Sequence, residues 1–115
     1  HDAHNLVVVG AEFDAMASVA NHLREIGGGL AVFDPEHGTT ALPLPIAGLL
    51  SPQPLKDVAS RFDRVQTAAE EIGASLPGGI MELDNLSLEV VPELRLTNRG
   101  LVDVESMSFV DVVLE

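Results

Sequence analysis

Cysteine, tryptophan and tyrosine are absent from this sequence of 115 residues, and phenylalanine occurs only four times. Without cysteine the chain has no disulfide, no thiolate ligand for zinc and no thiol nucleophile. With so few aromatic side chains, a hydrophobic core has to be built from aliphatic residues. The apolar fraction of 46% is nevertheless typical of a globular domain and excludes a wholly disordered chain.

Positive charge is also scarce, because six Lys and Arg residues stand against eighteen Asp and Glu and the formal net charge is −12. This sign opposes binding to nucleic acid phosphates and to anionic membranes, so we expect neither partner. No apolar stretch approaches the roughly 20 residues that cross a bilayer, and no signal-peptide pattern opens the chain. Together with the lack of cysteine, these features predict a cytoplasmic protein.

Two stretches carry apolar residues at helical spacing. The first begins after Glu12 and ends at Gly27, a residue type that commonly terminates helices. The second begins at Ser51 and Pro52, a capping residue followed by proline in the first turn, and ends at Gly73. We therefore predict two main helices.

Short apolar runs predict the strands, at residues 6–9, 30–33, 39–42, 88–91, 101–104 and 109–114. Turn residues at 34–38 predict a hairpin, and a further turn is expected at 98–100. The first strand, the first helix and the second strand form a unit in which parallel pairing is favoured. The order β-α-β-β-α-β-β predicts one α+β domain over residues 1–115, a mixed sheet with two main helices packed on one face.

Three consecutive glycines, Gly27, Gly28 and Gly29, follow the first predicted helix. Phosphate-binding glycine loops precede a helix, because the positive end of the helix dipole then faces the anion. The three glycines therefore indicate a helix stop and a close approach of another backbone segment.

The densest group of functional side chains opens the chain and consists of His1, Asp2, His4 and Asn5. Two histidines three residues apart could share a metal on a helix, but in a strand they point to opposite faces. The other two histidines fall in a helix and in a turn. We predict no metal site in this chain, and we expect its acidic residues on solvated faces.

The loop at residues 43–51 is unusually apolar for a surface segment. Its candidate docking residues are Leu44, Ile46, Gly48, Leu49 and Leu50. Either the second helix or another domain has to cover them. We expect another domain, because a chain that begins with histidine instead of methionine is expected to be part of a longer polypeptide.

Four segments, taken in order, resemble the carboxy-terminal domain of bacterial and archaeal adenine deaminases. They are HDAHNLVVVG at residues 1–10, GGGL at 27–30, ALPLPIAGLLS at 41–51 and VPELRLTNRGLVDV at 91–104. The sequence departs from the family pattern at Asp84, Asn85 and Glu89, where serine, phenylalanine and proline are expected.

The resemblance implies an accessory domain, inactive alone, of an amidohydrolase that converts adenine and water to hypoxanthine and ammonia in purine salvage. It implies an upstream (β/α)₈ barrel that holds a divalent metal (manganese, iron or zinc) and no cofactor in this chain. The resemblance implies no catalytic residue in this chain. From their polar density we hypothesise that His1, Asp2, His4 and Asn5 reach toward the active-site mouth of the barrel. The loop at 43–51 is expected to dock next to them.

Two other classes of function remain open. The chain could be a stand-alone module that binds a small ligand or a second copy of itself as a homo-oligomer, which would need a start codon near His1. It could also be a free metalloenzyme that uses His1, His4 and an acidic residue, which would need a metal that survives dialysis. The hydrolase hypothesis instead needs a barrel encoded upstream.

Overall fold

The computed structural model describes residues 4–113 and confirms the α+β class. The elements in chain order are α1 (Phe13–Ile26), β1 (Gly29–Asp34), β2 (Gly38–Pro43), α2 (Leu55–Glu71), a 3₁₀ helix (Gly79–Ser87), β3 (Leu94–Thr97), β4 (Gly100–Asp103) and β5 (Ser108–Val110). They fall into two compact units, one spanning Val8–Ile80 and one made of the other described residues. Within residues 4–113, no helix is long and apolar enough to cross a membrane.

Helix α1 forms and ends where the sequence predicts. Its buried residues, Val19 and Leu23, lie one helical turn apart on the same side of the helix. Gly27 ends it with a φ of 83°, a left-handed conformation that glycine adopts without steric cost. The N–H of Gly28 then donates to the carbonyl of Leu23 at 2.8 Å and closes the last turn.

The hairpin of β1 and β2 carries the core of the first unit. Leu30 pairs with Leu42 and Val32 pairs with Thr40, so these side chains share one face of the antiparallel pair. Val32 and Leu42 are buried there against two residues of α2. The full cluster is Val32, Leu42, Val65 and Ala69, bordered by Leu30, Leu44, Val58, Phe62, Ala68, Ala74 and Ile80.

The second unit contains a three-stranded antiparallel sheet in the order β3-β4-β5. The turn between β3 and β4 lies at Asn98 and Arg99, as predicted, and the Thr97 hydroxyl supports it. This hydroxyl accepts the N–H of Arg99 at 3.1 Å and donates to the carbonyl of Gly100 at 2.8 Å. Among the described residues of this unit, only Val104 and Ser87 are buried.

The strand predicted at residues 6–9 does not form, and the predicted parallel pairing and mixed sheet are wrong with it. Leu6 and Val9 are 61% and 64% exposed. Within residues 4–113, β1 pairs with β2 alone, and both sheets are antiparallel. β-Branched residues favour a strand only where a neighbouring strand binds the backbone and packs against the side chains.

Helix α2 begins at Leu55 and not at Ser51 and Pro52. A second proline explains the difference, because Pro54 disfavours a helical conformation at Gln53. The Ser51 hydroxyl accepts the N–H of Gln53 at 3.1 Å and forms a local turn instead of a helix cap.

The segment after α2 also differs from the prediction. Residues 88–91 form a turn in which the N–H of Val91 donates to the carbonyl of Leu88 at 3.1 Å, and a 3₁₀ helix precedes it. Strand β3 is missing from the sequence-based prediction. The strand expected at 109–114 is shorter, because β5 ends at Val110 and Leu114 lies outside the described residues. These short apolar runs lack the regular alternation that identifies a half-buried strand.

Candidate functional site

The polar group at the beginning of the chain is described only in part. His1 and Asp2 lie outside the described residues, whereas His4 and Asn5 are both exposed. His4 has a φ of 51°, a left-handed conformation that residues other than glycine seldom adopt. The structure thus places an exposed imidazole and an exposed amide ahead of α1.

The loop at residues 43–51 lies directly on the glycines that join α1 to β1. The N–H of Leu44 donates to the carbonyl of Gly28 at 2.9 Å. A Cβ atom added at Gly28 would stand 2.6 Å from the Cα of Gly48, where no side chain fits. The close backbone approach predicted from the three glycines is therefore confirmed, and the approaching segment is this loop.

The apolar side chains of the loop divide into an inward and an outward set. Leu44 packs against the core cluster, and Leu49 is half-buried. Ile46 and Leu50 are 50% and 62% exposed, and each donates its N–H to the carbonyl of the other at 3.1 Å. The fold itself covers Leu44, and among the candidate docking residues Ile46 and Leu50 are the exposed ones.

A carboxylate–imidazole pair lies in the hairpin turn between β1 and β2. The Nδ1 of His37 is 2.8 Å from the Oδ2 of Asp34, while the other oxygen of Asp34 accepts the N–H of Glu36 at 2.8 Å. The hydrogen bond to Asp34 raises the pKa of His37, with a further contribution from the negative charge of Glu71. The hydrogen bond from His37 lowers the pKa of Asp34.

Sequence reasoning misses the pair of Asp34 and His37, although an aspartate three residues before a histidine in a tight turn could have indicated it. Both groups are solvent-accessible, with side-chain exposures of 20% for Asp34 and 74% for His37. An exposed ion pair of this kind orders a turn and contributes little to stability.

Asp103 is another acidic residue that the structure assigns to a turn. Its Oδ1 accepts the backbone N–H groups of Glu105 at 2.9 Å and Ser106 at 3.3 Å. Hydrogen bonds from the side chain and the backbone of Ser106 lower the pKa of Asp103. A carboxyl group that donates a proton in catalysis needs a raised pKa, so this arrangement suits turn formation and not acid catalysis.

Metal ligands do not converge in the described part of the chain. Within residues 4–113, no three His, Cys, Asp or Glu side chains are grouped so that they could hold a metal ion. These residues therefore do not fit a divalent metal that requires three protein ligands.

Known proteins similar to this chain are adenine deaminases. A family profile described as the adenine deaminase C-terminal domain matches residues 1–108. Relatives named adenine deaminase from Roseobacter denitrificans, Clostridium botulinum and Moorella thermoacetica are 41%, 43% and 45% identical over 98%, 100% and 98% of this chain. The chain belongs to the adenine deaminase C-terminal domain family.

Membership in the adenine deaminase family confirms the resemblance drawn from the sequence segments. The matched range includes both helices, the loop at 43–51 and the turn with Asp34 and His37. The chain spans only about 19% of the length of each of these relatives. No solved structure was found that matches the chain.

Replacing Gly28 with alanine should displace the loop at 43–51, because the new Cβ would collide with Gly48 and Gly28 has a φ of 100°. We expect a loss of about 2–4 kcal/mol in the free energy of unfolding, measured by urea denaturation. Gly38→Ala is the matched control, since Gly38 has a φ of 81° but no atom within 4 Å of the added Cβ. It should cost about 1 kcal/mol, and equal losses would contradict the loop contact.

Replacing Asp34 with asparagine should lower the pKa of His37, measured by NMR titration of the imidazole, because the hydrogen-bonded carboxylate is lost. Glu36→Gln removes a neighbouring charge but keeps the pair, and should change this pKa less. Because the pKa of His37 is raised in the folded chain, the protonated imidazole stabilises the fold fully at pH values below its ordinary pKa of 6.5. This stabilisation is lost as the pH rises through the raised pKa. Because the pKa of Asp34 is lowered, its ionised carboxylate stabilises the fold fully at pH values above its ordinary pKa of 3.8. This stabilisation is lost as the pH falls through the lowered pKa.

The pair should therefore contribute most to stability between pH 3.8 and 6.5. An unchanged His37 titration in Asp34→Asn would show that the hydrogen bond does not hold the imidazole in solution.

Proposed function

We propose that this chain is the carboxy-terminal accessory domain of a cytoplasmic amidohydrolase that converts adenine and water to hypoxanthine and ammonia in purine salvage. The domain alone is inactive in this proposal. The observation that supports this proposal most is the extent of the match to relatives named adenine deaminase. The match covers nearly the whole of this chain but only about 19% of each relative. Most of each relative therefore lies outside this domain, where a catalytic barrel can be accommodated.

The divalent metal of such a hydrolase (manganese, iron or zinc) is assigned to that upstream barrel. The described residues of this domain do not bring three ligands together, so they do not fit the metal. No chemical step is assigned to a residue of this chain.

Two features of the domain are proposed to face the barrel. The first is the opening polar group His1, Asp2, His4 and Asn5, placed beside the active-site mouth. Support comes from the exposed His4, whose left-handed backbone is of the kind that functional sites retain. The second is the outward pair of Ile46 and Leu50, placed against the barrel as a docking contact.

The activity is tested by expressing the full-length protein and this chain separately and measuring ammonia release from adenine. The full-length protein should release ammonia and yield hypoxanthine, whereas this chain should not, even with manganese, iron or zinc added. A full-length protein inactive on adenine would overturn the assigned substrate. Ammonia release by this chain alone would overturn its accessory role.

Replacing His4 with alanine in the full-length protein should lower turnover or metal retention by about 10- to 100-fold, the range found for residues that support a metal site indirectly. Steady-state kinetics and bound-metal analysis measure the two effects. His37→Ala is the matched control, because His37 is also exposed but lies in the hairpin turn. Wild-type turnover and metal content in His4→Ala would remove His4 from the active-site mouth.

Replacing Ile46 with aspartate in the full-length protein should weaken the docking contact, since a charge would be buried against an apolar surface. Calorimetry should show the melting transition of this domain lowered by about 2–4 °C. Phe13→Asp places the same charge at an apolar side chain that is 88% exposed and lies outside the loop. Equal shifts in the two variants would argue against a docking role for Ile46.

A further inference from the structure

The sheet of the second unit has two chemically different faces. Leu96 pairs with Leu101 and Leu101 pairs with Val110, so these three side chains form one row across the sheet. Leu94 lies on the same side, two residues before Leu96. We call this surface the apolar sheet face and define it by Leu94, Leu96, Leu101 and Val110. Asp103 and Ser108 lie on the same side, in the row of Leu94 at the end of the face.

The opposite face is occupied by the unit's own cationic side chains. Arg95 lies there and donates to the carbonyls of Pro92 and Leu94. The guanidinium of Arg99 lies 5.5 Å from the centre of the Phe109 ring, a distance at which a cation and an aromatic ring attract each other. Val102 and Phe109 continue the row of Arg95, so this side combines cationic and apolar side chains. Arg95 and Val102 are half-buried there.

The apolar sheet face is only partly covered by the described residues, among which Leu101 is half-buried. Leu94 and Leu96 are 50% and 54% exposed, and Val110 is 37% exposed. Small antiparallel sheets are stable only when one apolar face is buried. Val104 and Ser87 are the only buried residues in the described part of this unit, so the unit supplies little core of its own.

We propose that the apolar sheet face is a second docking surface, covered in the full-length protein by the part of the same polypeptide outside this domain. This inference rests on the proposed function, because it needs a longer parent. It is separate from the contact proposed for Ile46 and Leu50, which belong to the other unit.

Length and charge favour this occupant over a second copy of the domain. The relatives are about five times as long as this chain, so a large covalently attached surface is available at high effective concentration. A second copy would bring another net charge of −12, and Asp103 lies in the same row as Leu94 at the end of the face. A symmetric pair would place like charges together and bury carboxylates next to apolar groups.

The test compares thiol labelling of Leu96→Cys and Phe109→Cys in the full-length protein. The two positions are 54% and 55% exposed but lie on opposite faces of the same sheet. Because the domain contains no natural cysteine, mass spectrometry of its peptides reports only the introduced thiol. The Leu96→Cys thiol should react with a maleimide about tenfold or more slowly than the Phe109→Cys thiol, at every protein concentration.

Equal labelling rates would mean that the apolar sheet face is open, and the inference would fall. Protection that disappears on dilution would identify a second copy as the occupant and would also overturn it. Equal protection of Leu96→Cys in this 115-residue chain expressed alone would show that the chain covers the face itself, and would overturn it too. If Leu96→Cys unfolds the unit, hydrogen exchange of the unsubstituted full-length protein gives the answer. Amides of β3–β5 protected as long as those of β1 and β2 support the inference, and amides that exchange at once overturn it.

This outcome is independent of the assay with adenine. A full-length protein that protects Leu96→Cys but releases no ammonia from adenine would overturn the proposed substrate and leave the docking surface standing. If the full-length protein is active on adenine but the Leu96→Cys and Phe109→Cys thiols react at equal rates, the docking surface is overturned and the proposed substrate stands.

Discussion

The close contact between the loop at 43–51 and the glycines after α1 is the constraint on which the first unit depends. The hydrogen bond from Leu44 to Gly28 ties the end of β2 to the end of α1, and the space between Gly28 and Gly48 has no room for a Cβ. Once these backbones meet, Leu44 is directed into the core cluster, and Ile46 and Leu50 are turned outward. The family segments at 27–30 and 41–51 are thus the two halves of one backbone contact.

Two carboxylates of this acidic chain, those of Asp34 and Asp103, form turns and are not suited to acid catalysis. Asp34 and Asp103 each accept backbone N–H groups in a turn. The pKa of Asp34 is lowered mainly by the hydrogen bond from the His37 side chain, and that of Asp103 by hydrogen bonds from the side chain and backbone of Ser106, because these bonds stabilise the ionised form. Such carboxylates remain ionised and order the chain. This agrees with the accessory role that we propose for the domain.

Each unit presents apolar side chains that its own fold does not bury. In the first they are Ile46 and Leu50, and in the second they form the apolar sheet face. A chain with a net charge of −12 gains little from pairing with itself, so both surfaces suit a covalently linked neighbour better than a second copy. These are the two surfaces that we propose to contact the rest of a longer polypeptide.

The sequence by itself determined the elements whose signals are local: both helices, the glycine that ends α1, the hairpin and the apolar character of the loop. Helical periodicity and turn chemistry reside within a few consecutive residues, so no tertiary contact is needed to detect them. Tertiary structure alone decided that residues 6–9 stay out of the sheet, that Leu44 turns inward, and that Asp34 meets His37. These outcomes depend on which backbone edge or side chain lies opposite, and that is a property of the folded chain and not of any one segment.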